Sequence, residues 1–353
     1  MGAVRYSFQP GPAQLWPDVP ALIQQALQEG LLSRYHRDPV WQALFQEAQE
    51  AVAAFLGLPK GWLVVFVSSA TEAWQVLTDA TAELTSLHIV QGAFGERWHS
   101  LQAAASPFAY AYKVDMAQPW EPQLEALSQK YGSVGLVAWV QVETSIGAAL
   151  PPPHALRKYF PQALIAVDAT SALGGLTLPW EAVDIAFASV QKCLGLPPGL
   201  GVLLLSPEVV ERFRDFPRTR FNSLSYLIQQ ALQHQPPHTP NLLGIYLLAK
   251  SLPARPPLAE IEATLRQRAT SLYASLIEKG YSAYVPEGYR ADSVLSFFWP
   301  DAQKAEYLRA KAEAEGLYLG WGYGPEKERF FRIANFPALP EEAYKALQEV
   351  LLG

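Results

Sequence analysis

The sequence predicts an α/β fold: a mostly parallel sheet covered by helices on both faces, followed by a smaller α+β unit. Between about residues 63 and 205, short and near-continuous apolar runs alternate with stretches of helical periodicity, as parallel strands buried on both faces require. Beyond Pro253, Pro256 and Pro257 that rhythm gives way to one long helix and a mixed series of strands and helices. The 353 residues are 50% hydrophobic and only 17% charged, which supplies a large core and favours further burial in an oligomer.

Residues 5–17 carry Pro10, Gly11, Pro12 and Pro17 and read as irregular. A helix is expected over about 18–31 and another over 39–56, where Asp38 can cap, Pro39 suits the first turn and Gly57 ends the helix. Strands follow at 63–67, 87–91, 109–114 and 134–142, separated by helices at 71–82, 95–105 and 121–132. A short helix at 153–160 precedes strands at 164–167, 185–189 and 202–205, the last entered from a Pro/Gly loop. Downstream, a long helix at 258–280 leads to a strand at 293–299, a helix at 301–316, strands near 317–321 and 329–334, and a helix at 340–351. This divides the chain into a large α/β domain, 16–250, and a small α+β domain made of 1–15 and 251–353. The early segment is expected to pack with the small domain or to line the cleft between the two.

The net charge of −6 and the absence of any Lys/Arg run argue against a nucleic-acid binder. No stretch reaches the ~18 apolar residues of a membrane span. The single cysteine, Cys193, cannot form an internal disulfide, and the opening residues show no apolar leader core. A cytoplasmic location is therefore expected. His234 and His238 are four apart, but Pro236 and Pro237 spoil a shared helical face, so no metal site is expected.

Ligands of parallel sheets sit outside the carboxyl ends of the strands. After strand 63–67, Ser68-Ser69-Ala70-Thr71-Glu72 opens a helix, and small residues at a helix N-terminus can cradle a phosphate or simply cap the helix. After strand 87–91, Phe94 can stack on a planar ligand or fill the core. Glu143-Thr144-Ser145-Ile146-Gly147 offers hydroxyls to a ligand, or a polar turn. Asp168 ends an apolar strand, where a carboxylate needs a cation, a ring N–H⁺, or a capping role. Lys192 follows another apolar strand, and burial there would favour a neutral, nucleophilic amine unless the side chain reaches solvent. An anion cradle, an aromatic platform, an acid and a buried lysine on successive strand ends match the needs of one cofactor, pyridoxal phosphate.

These segments, in this order, resemble the class V aminotransferases of pyridoxal-phosphate fold type I, above all their phosphoserine aminotransferase branch. Phe8-Gln9-Pro10-Gly11-Pro12-Ala13 resembles the F-x-x-G-P-A opening, Tyr35-His36-Arg37 the S-H-R signature, and Ser69-Ala70-Thr71-Glu72 the G-A-T-E phosphate loop. Gly92-Ala93-Phe94-Gly95 resembles the segment of the stacking aromatic, and Glu143-Thr144-Ser145-Ile146-Gly147 resembles N-E-T-x-x-G. Asp168-Ala169-Thr170-Ser171, Gln191-Lys192, His238-Thr239-Pro240 and Arg332-Ile333-Ala334-Asn335 resemble the Asp segment, the Q-K pair, the N-T-P segment and the carboxylate arginine.

The resemblance implies a homodimer with active sites at the interface, acting on amino acids and 2-oxo acids. Lys192 would carry the cofactor as a Schiff base and shuttle the substrate proton, and Asp168 would hold the ring nitrogen. Ala70, Thr71, Phe94, Thr144, Gln191 and, across the dimer, Thr239 would bind the cofactor. Arg332 would take the α-carboxylate, and His36 and Arg37 the distal acid of glutamate or phosphoserine. Cys193 reads as packing, because the related desulfurases carry their cysteine on a later loop. The chain departs from the branch in having Phe94 where tryptophan is usual. It also lacks the His-Arg pair before the carboxylate arginine: Gly320-Trp321-Gly322-Tyr323-Gly324 resembles alanine–glyoxylate and serine–pyruvate aminotransferases instead. Lys327 and Arg329 are the cations left there to meet a phosphate. Three readings follow: ping-pong transfer from glutamate to 3-phosphohydroxypyruvate, an alanine/serine–glyoxylate or serine–pyruvate aminotransferase, and a non-catalytic binding module on the same fold.

Overall fold

Apolar runs bounded by polar or glycine-rich turns form the strands of two principal sheets and one two-stranded ribbon. In the computed structural model, which describes residues 5–218 and 220–353, they are β1 (Tyr6–Phe8), β2 (Leu63–Val67), β3 (Ser86–Val90), β4 (Ala109–Lys113), β5 (Leu136–Val140), β6 (Val142–Glu143), β7 (Ala148–Ala149), β8 (Leu164–Asp168), β9 (Ile185–Ser189), β10 (Gly201–Leu205), β11 (Val294–Phe298), β12 (Leu317–Trp321) and β13 (Phe330–Ala334). The large sheet has the order β2-β10-β9-β8-β5-β3-β4. Pairings from β9 through β4 are parallel, and β10 runs antiparallel to both β9 and β2. The connection from β9 to β10, residues 190–200, holds no helix, whereas a parallel return usually carries a crossover helix.

The expected helix caps are present. Asp38 accepts a hydrogen bond from Trp41 N, Pro39 opens the helix Pro39–Leu56, and Gly57 closes it in the left-handed region at φ 64°. Ser69 caps the helix Ala70–Ala80 through Glu72 N. Helices Pro207–Phe213, Leu224–Ala231 and Leu242–Ser251 extend the pattern beyond the elements read from sequence.

The second sheet has the order β1-β12-β13-β11 and is covered by helices Leu258–Glu278, Ala302–Ala314 and Glu341–Leu352. Phe8, Leu272, Phe297, Phe331 and Leu347 share its core. One expectation is corrected here. Residues 5–17 are not wholly irregular: Tyr6–Phe8 is a strand parallel to Leu317–Leu319. Its three residues were too short for a periodic signal, and its pairing partner lies at the other end of the chain. The following turn then runs over the large sheet, with Ala13 N bonded to Gln191 O and Trp16 Nε1 to Leu194 O.

Candidate active site

A cleft of about 430 Å³ opens at the carboxyl ends of the parallel strands, roofed by the N-terminal turn and by β12 and β13. Ala70, Thr71, Phe94, Thr144, Asp168, Gln191, Lys192 and Arg332 all line it.

The floor is set by β8 and β9. Leu164 to Val167 are essentially solvent-free, and each large aliphatic contributes about 1.5–3 kcal/mol by burial. That anchorage holds Asp168 at the strand end despite its charge. Its Oδ2 accepts from Trp74 Nε1 at 2.9 Å and its Oδ1 from Thr170 N at 2.9 Å. Burial still pushes its pKa above the usual carboxylate value, so the anion here favours a cationic partner. Lys192 Nζ donates to Thr144 Oγ1 at 2.8 Å and to Ser171 Oγ at 3.0 Å. Burial lowers its pKa to about 8, against the opposing pull of Asp168, Cys193 and Glu143. The amine is therefore close to the point where it can both hold and release a proton near neutral pH.

The walls supply an anion cradle and an aromatic face. The N-terminus of helix Ala70–Ala80 points to the cleft, with Ala70 N donating to Ser189 Oγ at 2.8 Å. Gln191 Oε1 and Thr170 Oγ1 are buried without a partner among the described residues. Such oxygens in a cleft wall call for a donor from a ligand or water. Phe94 is carried by the helix Ala93–Ala105, and Lys192 Nζ lies 5.4 Å from its ring centre. The buried Glu143 carboxylate accepts from Gly95 N at 3.1 Å and from Ser145 Oγ at 2.6 Å, pinning that helix end. Gly92 is required for this closeness: a Cβ there would stand 2.5 Å from Ser145 Oγ.

Arg332 projects from β13. Its Nε donates to Trp321 O at 2.6 Å and its Nη1 to Thr144 O at 2.8 Å. Burial lowers its pKa to about 10, which leaves it charged at neutral pH. These two bonds fix the guanidinium plane while other donors stay available for a carboxylate.

His36, Arg37 and Thr239 do not line this cleft within the single chain. Thr239 borders a separate cavity of about 180 Å³ beside His238, and its Oγ1 lies 3.5 Å from His36 Nδ1. Partial burial, then the charges of Arg37 and His238, lower the His36 pKa and favour the neutral imidazole. Lys327 and Arg329 also stay out of the cleft, facing Glu328 at 3.9 Å and Glu326 respectively. Cys193 is buried, with its Sγ toward Ser171 O at 3.4 Å, and burial pushes its thiol up.

Sequence reasoning missed Trp74, Ser189, Tyr323 and the bonding role of Glu143. Trp74 stands four residues after Ala70, on the same helix face, so that spacing could have found it. Ser171 stood within the Asp168 segment, but nothing in the sequence pairs it with Lys192. The N-terminal turn, expected to pack with the small domain or to line the cleft, lines the cleft at residues 9–12. Gly11, at φ 140°, brings backbone so near that a Cβ would be 3.2 Å from Lys192 Cε.

The arrangement fits pyridoxal phosphate: a buried carboxylate in need of a cation, a lysine amine with a lowered pKa, an aromatic wall, and the hydroxyls of Thr71 and Thr170 with a helix N-terminus as donors to an anion. The comparisons agree. The family described as Aminotransferase class-V matches residues 5–319. A phosphoserine aminotransferase of Rhodococcus jostii is 29% identical over 253 residues, which span 69% of this chain and 65% of that protein, just under two thirds of its length. The crystal structure of a phosphoserine aminotransferase from Cytophaga hutchinsonii superposes with a TM-score of 0.92 at 26% identity, covering 99% of each chain. An alanine–glyoxylate aminotransferase from Nostoc sp. shares the fold, with a TM-score of 0.81 at 22% identity over 99% of this chain and 95% of its own. The chain belongs to the class-V aminotransferases, transferases that depend on pyridoxal phosphate and adopt fold type I.

Proposed function

We propose that this aminotransferase moves the amino group of glutamate to 3-phosphohydroxypyruvate, giving O-phosphoserine and 2-oxoglutarate in serine biosynthesis, by ping-pong kinetics. The observation that carries the reading is the cleft itself: the guanidinium of Arg332, the amine of Lys192 and the carboxyl of Asp168 line one cavity. The likeness to the phosphoserine aminotransferases of Rhodococcus jostii and Cytophaga hutchinsonii, at 29% and 26% identity, supports this substrate class.

When bound, pyridoxal phosphate supplies an electron sink for the pair left at an amino-acid Cα that has lost its proton. In this reading Asp168 would hold a proton on the ring nitrogen, which repays its burial, and Trp74 would keep the carboxylate aimed. Phe94 would cover one ring face, with Thr144 at the ring edge. Thr71, Gln191 and the Ala70 helix end would hold the phosphate. Arg332 would bind the substrate α-carboxylate through paired guanidinium donors. Lys192 Nζ, steadied by Thr144 and Ser171, would carry the proton from the donor Cα to the cofactor carbon C4′, and in the second half-reaction from C4′ to the acceptor Cα. Residues 16–250 would form the cofactor domain, with 1–15 and 251–353 as the small domain. His36, Arg37 and Thr239 would serve the neighbouring subunit of a cytoplasmic homodimer, with Thr239 on its cofactor phosphate.

One observation favours a second reading, an alanine/serine–glyoxylate or serine–pyruvate aminotransferase. The Gly320–Gly324 segment lacks a His-Arg pair, and Lys327 and Arg329 face glutamates. Half-reactions of the holoenzyme, followed by the absorbance of the bound cofactor, separate the two. Glutamate and phosphoserine should react with at least about tenfold higher kcat/KM than alanine or serine. The opposite order would transfer the assignment to the second reading.

A further inference from the structure

We infer that Arg97 is a specificity-determining residue that receives the distal acidic group of the substrate from within the same chain. The inference deepens the reading above and rests on it. Arg97 stands three residues after Phe94 on the helix Ala93–Ala105, exposed, and next to Phe94 and Tyr323, which line the cleft. Its guanidinium carbon lies 5.8 Å from the Phe94 ring centre, and its Nη2 is 3.3 Å from the Tyr323 hydroxyl. Tyr323 in turn has its ring 5.5 Å from the Phe94 ring and 5.5 Å from the Arg332 guanidinium carbon. Two guanidinium groups therefore meet one phenol, one from the cleft wall and one from the rim. A substrate with its α-carboxylate on Arg332 and a second acid further along its chain has the charge pattern to match both.

The state of the neighbouring charges supports this. The acidic residue beside Arg97, Glu96, is met by Lys113 at 3.5 Å. Lys327 and Arg329, on the loop after Tyr323, face their own glutamates. Among the described residues no carboxylate forms an ion pair with Arg97, so it is the rim cation left open to an anionic ligand. The loop geometry is specified as well. A Cβ at Gly322 would meet Lys327 Cα at 2.9 Å and Glu326 O at 2.8 Å, so glycine there permits the tight turn that delivers Tyr323. The preceding residue, Trp321, supplies the carbonyl that holds Arg332 Nε. One short segment thus sets the position of both recognition groups.

The test uses holoenzyme carrying Arg97→Gln, Arg97→Lys or Tyr323→Phe, with glutamate and phosphoserine against alanine as amino donors. Arg97→Gln should reduce kcat/KM for the acidic donors about tenfold more than for alanine, mainly through KM. Arg97→Lys should restore part of that ratio, because it returns the charge. Tyr323→Phe should give a smaller loss of the same kind, by releasing the guanidinium. If the wild-type enzyme discriminates between the donors and Arg97→Gln keeps its ratio, the role of Arg97 is wrong while the functional reading stands. If the wild-type enzyme shows no preference for acidic donors, both fall together.

Discussion

The cleft floor and the His36–Thr239 patch contain the same kinds of side chain, and the fold treats them in opposite ways. Lys192 and Asp168 are buried at adjoining strand ends, each held by two hydrogen bonds at 3.0 Å or less. His36 and Thr239 approach each other at 3.5 Å on solvated surface, beside Arg37. The floor is complete in one chain because sheet register places every member. At the patch, the long contact between Thr239 and His36 is the one hydrogen bond these two side chains make among the described residues. Reactive groups need pKa shifts, which burial supplies, whereas recognition groups need only charge and access.

The comparison can be broken at several points. Lys192→Ala should remove transamination almost entirely, by about a thousandfold or more, with cofactor still retained by the walls. Turnover near the wild-type rate would show that the floor is not the reactive region. The pKa of Lys192 adds a pH signature. With the amine at about 8, the neutral form is about a tenth of the population at pH 7 and about nine tenths at pH 9. Reductive alkylation of Lys192 in ligand-free protein, read by peptide mass spectrometry, should rise about tenfold across that interval. A rise of about a hundredfold, as for an amine at its ordinary pKa of 10.5, would mean that burial does not depress it.

Arg332→Ala should raise KM for every amino donor by about ten- to a hundredfold, acidic or not, because the α-carboxylate is common to all. An unchanged KM for glutamate would remove Arg332 from substrate binding. The smallest effect is expected at the patch. Arg37→Ala should cost about tenfold in kcat/KM with glutamate and phosphoserine and little with alanine. Mixing Lys192→Ala protein with Arg37→Ala protein sharpens the point. If the patch serves a neighbour's cleft, exchange of subunits creates one site with both residues intact, and activity toward acidic donors rises above that of either variant alone. Activity equal to the average of the two would confine Arg37 to its own chain.

Much of this architecture was legible without coordinates, for reasons visible in particular residues. Asp38, Pro39 and Gly57 mark a helix because capping, the first-turn geometry and the left-handed stop act within a few residues. Leu164–Asp168 reads as a strand ending in an acid because an apolar run buried on both faces is a local property. The strand Tyr6–Phe8 escaped notice since its partner is Leu317–Leu319, and three residues carry no usable period. The antiparallel course of β10 goes with a helix-free connection after β9, and the apolar run alone does not express strand direction.

The sequence by itself determined the alternation of strands and helices and the residue types at the strand ends, because periodicity, capping and burial patterns are short-range. Only the tertiary structure decided that Trp74 meets Asp168, that Ser171 and Thr144 hold Lys192, and that Tyr323 brings Arg97 toward Arg332. Those pairs lie far apart along the chain. Their contact follows from sheet register and loop path, which arise from the packing of the whole molecule rather than from any one segment.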